Sequence, residues 1–216
     1  MKKSLLIPLI PELEQTPFEL APQLIEDKGN RCSIDSLNWA QQYPYHPFTA
    51  VNVAHSGKAI YVDFLVRCNY LRAVNYKNNT PVWEDSCVSI FIQPSSDSEY
   101  WNFDFNCIGT VNAAHRSSRR PVNRLSDDDI SRIERYASCG NKPFREVEGL
   151  FTWSVVARIP LDLINVAYQG NPIVMKGNFC KCATGTSQPH FLTWNPISSP
   201  QPEFHVPESF GDIILQ

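Results

Sequence analysis

Two stretches of the chain alternate apolar and polar residues with period two, and that spacing restricts the architecture more than any other feature. Ile60, Val62, Phe64, Val66 and Cys68 occupy alternate positions, with Tyr61, Asp63 and Arg67 pointing the other way. Trp101, Phe103, Phe105 and Cys107 repeat the pattern, and place Tyr100, Asn102, Asp104 and Asn106 together on the opposite side. A period of two belongs to a half-buried strand, whose side chains alternate across the sheet. Both stretches therefore predict one apolar face turned to a core and one polar face turned away.

Similar signals cover 49–54, 86–93, 151–159, 173–182, 190–194 and 211–215, separated by turns rich in Pro, Gly and Ser. Gly57, between Ser56 and Lys58, supplies the positive φ of a hairpin turn. Ser126, with a carboxylate at Asp129 ahead of Ile130, Ile133 and Ala137, forms a capping box predicting one short helix that ends near Gly140. Strand–helix–strand alternation is absent. The fold class is thus all-β, a two-sheet antiparallel β-sandwich of jelly-roll type with one short helix. Residues 1–48 carry many prolines and few periodic runs, and read as an extended N-terminal arm packed on a sandwich of residues 49–216.

A length of 216 residues suits one such domain. The net charge of -3 comes without any run of Lys or Arg long enough to neutralise successive phosphates, which argues against nucleic acid as a partner. No stretch has the eighteen or so consecutive apolar residues of a membrane span. Lys2 and Lys3 ahead of Leu5, Leu6 and Ile7 imitate an export signal, but Pro8 and Pro11 interrupt the run, so the expected compartment is cytoplasmic by default. Seven cysteines match no disulfide framework and read as free thiols. Cys180, Cys182 and His190 lie close in sequence, yet the spacing is not that of a paired zinc motif, and neither a metal nor another cofactor is expected.

Sugar-binding surfaces offer an aromatic face to the C–H side of a pyranose and surround it with amides, carboxylates and guanidinium groups. Of five tryptophans, Trp83 and Trp194 stand where a loop meets a strand, whereas Trp101 and Trp153 fall in core phase. The segment 81–93, with Trp83, Glu84, Asp85 and Ser86 ahead of an apolar strand, resembles the family 9 carbohydrate-binding modules. So do 100–110, and the ending 190–196 with Phe210 and Gly211, so that the resemblance covers roughly residues 50–216.

The resemblance implies non-catalytic binding of a plant-type oligosaccharide or polysaccharide, such as a xylan or glucan fragment. Trp83 is implied as one half of an aromatic clamp, with Trp194 as candidate for the other. Arg116 is the candidate for the family's arginine, with Arg119 and Arg120 as neighbours, and Asn102, Asp104 and Glu84 complete the candidate binding set. Where the family's binding carboxylate usually lies, this chain has Ser89. Two alternatives stand beside this reading: a glycoside hydrolase-associated enzyme of carbohydrate catabolism, and a protein-interaction sandwich domain that has lost sugar binding. A hydrolase needs two carboxylates held across the scissile bond, and nothing in the spacing of Asp63, Glu84, Asp85 and Asp104 pairs them, so no catalytic residue is assigned.

Overall fold

The computed structural model describes residues 2–120 and 122–216. Thirteen strands among them form two sheets. The first sheet contains β1 (Ser4–Ile7), β5 (Cys87–Pro94), β6 (Tyr100–Asn106), β7 (Val111–Arg116), β8 (Asn123–Arg124), β11 (Ile173–Cys182), β12 (Phe191–Thr193) and β13 (Gly211–Leu215). Its order is β1-β13-β11-β5-β6-β7-β8, and β12 pairs with the end of β11. The second contains β2 (Asn30–Ser33), β3 (Phe48–His55), β4 (Ala59–Ala73), β9 (Glu134–Ala137) and β10 (Phe144–Pro160), in the order β2-β3-β4-β10-β9. Every pairing is antiparallel except β1 with β13.

The two alternating stretches face each other across the sandwich. Ile60, Val62, Phe64 and Val66 from β4 join Trp101, Phe103 and Phe105 from β6 in one continuous core, and Trp153 and Val155 from β10 complete it. Gly57 has φ +90, as its turn requires.

The first 48 residues are woven into the sandwich more thoroughly than their prolines suggest. They give β1 to one sheet and β2 to the other, and between these a helix α1 (Ala21–Lys28) packs on the outside of the second sheet. Leu13, Ala21 and Ile25 bury Tyr61 and Val156 there, so one end of that sheet's outer face is covered. The apolar run that imitates an export signal is β1 itself. Three or four residues are too few to show a period, which is why these strands leave no trace in the sequence.

The helix capped by Ser126 is present as α2 (Asp127–Ser131), with the Ser126 hydroxyl accepting from the Asp129 amide. It stops well before Gly140, because 134–137 pairs with β10 as β9 and takes its backbone hydrogen bonds from a sheet. No helix among the described residues is long and apolar enough to cross a membrane.

Candidate functional site

The candidate binding residues of β6 and β7 lie on the outer face of the first sheet. Pairing in register lines up Cys180, Ser89, Asp104 and Asn112 across β11, β5, β6 and β7. One step along, Asn178, Phe91, Asn102, Ala114 and Arg124 form a second row. The polar face of β6 is the outward one, as its alternation predicts, yet none of its four residues is solvated. Tyr100, Asn102, Asp104 and Asn106 are all buried, because loops from both ends of the sheet fold over them.

These residues are tied into one network. Arg116 donates from Nε to Asn102 Oδ1 (2.5 Å), and Asn102 Nδ2 donates to Asp104 Oδ2 (2.9 Å). Asn112 Nδ2 donates to the same carboxylate oxygen (2.8 Å). Burial raises the Asp104 carboxyl above the usual range, opposed by the Ser89 hydroxyl, the Asn112 amide, the Arg116 charge and Asn102. The guanidinium of Arg116 is itself nearly buried and also donates from Nη1 to the Arg119 carbonyl (2.8 Å). Tyr100 is not a surface group: its hydroxyl meets His205 Nδ1 at 2.9 Å and fixes the loop around Glu203 and Phe204 over the sheet.

At the other end, Asp85 anchors the loop that carries Trp83. It is fully buried and accepts from Arg72 Nη1 (2.9 Å), the Val74 and Asn75 amides (both 3.0 Å) and Asn106 Nδ2 (3.0 Å). The Trp83 carbonyl accepts from the Thr184 amide (3.0 Å), which ties the loop to the chain beyond β11. The indole is left 38% exposed, enough for one ring face to be available.

Between the two ends lies a cavity of about 450 Å³. Ser89 and Asp104 contribute to its lining, Trp83, Phe191 and Phe204 form an aromatic side, and Arg116, Arg119, Arg120 and Arg124 form a basic one. The structure thus brings Trp83, Arg116 and Asp104 to one place, with Asn102 directly behind. Arg119 and Arg120 lie at the exposed rim, whereas Arg116 projects from β7 into the network.

Two candidates fall elsewhere. Trp194 is 3% exposed and packs edge-on against Phe179 in the core between the sheets, so it cannot clamp a ligand on the outer face. Glu84 does not line the cavity and lies 3.9 Å from Arg72 on the side of the loop facing solvent. Its neighbour Asp85 is held by four donors inside the protein.

Asn112, Phe191 and Phe204 belong to the site and escaped sequence reasoning. Asn112, Ala114 and Arg116 do alternate, but with no large apolar partner to reveal the phase of β7. Phe204 sits in a proline-flanked loop with no period at all. Among the described residues no group of three His, Cys, Asp or Glu side chains could hold a metal ion.

A family model for carbohydrate-binding family 9 matches residues 19–215. The chain belongs to that family. The family 9 module is also similar, at 31% identity over the whole of both chains and a TM-score of 0.94, to a protein from Bacteroides uniformis described as a candidate carbohydrate-binding protein. Two structures of a family 9 module from Caldicellulosiruptor kristjanssonii, one with glucose and one with cellotriose, share the fold. Both are 15% identical to the present module and cover 99% of it, with TM-scores of 0.62 and 0.61; 96% and 94% of those chains are matched. Among curated proteins no relative matches the chain. The chain is thus a non-catalytic module of carbohydrate-binding family 9.

Proposed function

We propose that this family 9 module binds the end of a short plant-type oligosaccharide, a glucan or xylan fragment, in the cavity on the outer face of the first sheet. The observation that carries the reading is the meeting of one half-exposed indole, Trp83, with a buried carboxylate and guanidinium, Asp104 and Arg116, at a single cavity. The indole takes the C–H face of a pyranose, while Asp104 accepts from ring hydroxyls and Arg116 donates to them. Asn102 and Asn112 hold the carboxylate and pre-organise it, so little ordering cost falls on binding. The cavity lies in the lower half of the about 300–1,000 Å³ usual for ligand sites, and this favours one or two sugar units over a long chain. The glucose and cellotriose bound by the Caldicellulosiruptor module point to the same class of ligand.

Calorimetric titration against cello-, xylo- and manno-oligosaccharides, with Trp83→Ala as control, tests the proposal. Saturable binding that weakens about tenfold or more in the variant is expected, since losing an anchoring aromatic costs about 1–2 kcal/mol. A folded protein that binds none of the three series at millimolar concentration overturns it and leaves an interaction domain as the better reading.

A further inference from the structure

The cavity is basic on a protein that is acidic. Four arginines line it, against the carboxylates of Asp104 and Glu203, while the whole chain carries a net charge of -3. Asp104 and Glu203 offset only part of this charge, Glu203 by pairing with Arg119 at 3.1 Å. Among the described residues neither Arg120 nor Arg124 forms an ion pair, and Arg116 makes no hydrogen bond through Nη2. Arg124 is placed on this face by its pairing with Ala114, the outward residue between Asn112 and Arg116.

These arginines are not spread evenly around the cavity. Aromatic residues Trp83, Phe191 and Phe204 lie toward the β11–β12 end, and Arg116 and Arg124 extend from β7 and β8 at the other. A neutral sugar uses guanidinium groups only as hydrogen-bond donors, and one suffices. Several converging on one side create a field that suits an anion, and a planar guanidinium matches a carboxylate or sulfate with two parallel hydrogen bonds. The half-buried His205 ring beside them is pushed down to about 3, by burial first and by the nearby Arg116 and Arg119 charges second.

We infer that the preferred ligand of this cavity is an acidic saccharide, whose ring stacks on Trp83 while its uronate carboxylate or sulfate ester is held among Arg116, Arg120 and Arg124. The inference rests on the carbohydrate reading above and narrows its substrate class.

The two separate experimentally when D-glucuronate, glucose 6-sulfate, D-glucose and sodium sulfate are titrated side by side into the whole chain. Glucuronate or the sulfate ester binding at least tenfold more tightly than glucose supports the inference, and which of the two does so identifies the anionic group. That preference should shrink when NaCl is raised from about 50 to about 500 mM, because partly exposed charges are screened. In the exposed-site variants Arg120→Gln and Arg124→Gln it should fall toward the level of glucose. Equal affinity for glucose and both acidic sugars overturns the inference and leaves the carbohydrate reading standing. Sodium sulfate binding as tightly as the acidic sugars reduces the site to an anion site and overturns it too. Binding of none of the four by folded protein overturns the inference, and the oligosaccharide titrations above decide the carbohydrate reading.

Discussion

Ser89 on β5 and Asp104 on β6 face each other directly across the two strands. The carboxylate that the family resemblance places on the strand after the tryptophan is missing at Ser89, yet the neighbouring strand brings one to the same spot. The Ser89 hydroxyl lies opposite Asp104 and opposes the burial that raises its carboxyl. A carboxylate at both positions would set two like charges against each other in a buried place and raise the Asp104 carboxyl further.

Asp104→Asn should reduce sugar affinity by about tenfold or more, since hydrogen bonds to a charged group contribute about 1.5–3 kcal/mol. Its effect on folding runs the other way with pH. Burial raises the folded-state pKa of Asp104, so the native protein holds the proton longer than the unfolded chain, and stability is lost as pH rises through that window. The variant should remove this loss, which denaturant titrations at pH 4 and pH 7 would reveal. Unchanged affinity in Asp104→Asn would exclude the carboxylate from the site.

Trp83→Ala and Trp194→Ala should separate binding from stability. The first removes a half-exposed ring and should lower affinity with little change in Tm. The second opens a cavity in the core beside Phe179 and should cost about 3–5 kcal/mol of stability. Chemical denaturation and titration of both variants check this, and a stable Trp194→Ala protein with weakened binding would reverse the assignment.

Asp85→Ala should destabilise the protein by about 3–5 kcal/mol, because it leaves Arg72, two backbone amides and Asn106 without their buried acceptor. Asp85→Asn keeps part of that set and should fall between the variant and the parent. Hydrogen exchange would show the damage concentrated at the Val74 and Asn75 amides. Uniform protection there in Asp85→Ala would remove the anchoring role.

Acid should weaken the fold before ordinary carboxylates titrate. Burial holds His205, His190 and His55 below the usual imidazole range, with His205 at about 3. The unfolded chain takes up these protons near pH 6.5 while the native protein does not, so stability is complete above that pH and declines as pH falls toward 3. Raised carboxyls at Asp63 and Asp104 act in the opposite sense. Proton NMR of the histidine rings is the check, and a His205 ring that titrates near pH 6.5 in the folded protein would contradict the burial argument.

Much of this could be read from one dimension. Alternation along 60–68 and 101–107 determined which side chains enter the core and which face of β6 turns outward, because a strand has only two faces and the apolar one must be buried. Trp83 was legible for a similar reason, lying between a proline and an acidic pair at a strand entrance. What alternation cannot supply is the partner of a strand, and every feature of the site depends on partners. Only the pairing of β5 with β6 and β7 sets Ser89, Asp104 and Asn112 in a line, and only the return of the 200–210 loop buries Tyr100 and brings Phe204 and His205 over the sheet. Trp194 and Trp83 occupy the same kind of position in sequence. Tertiary packing alone sends one into the core and leaves the other at the mouth of the cavity, since the sequence around a loop end does not encode which side of the sheet the chain will cross.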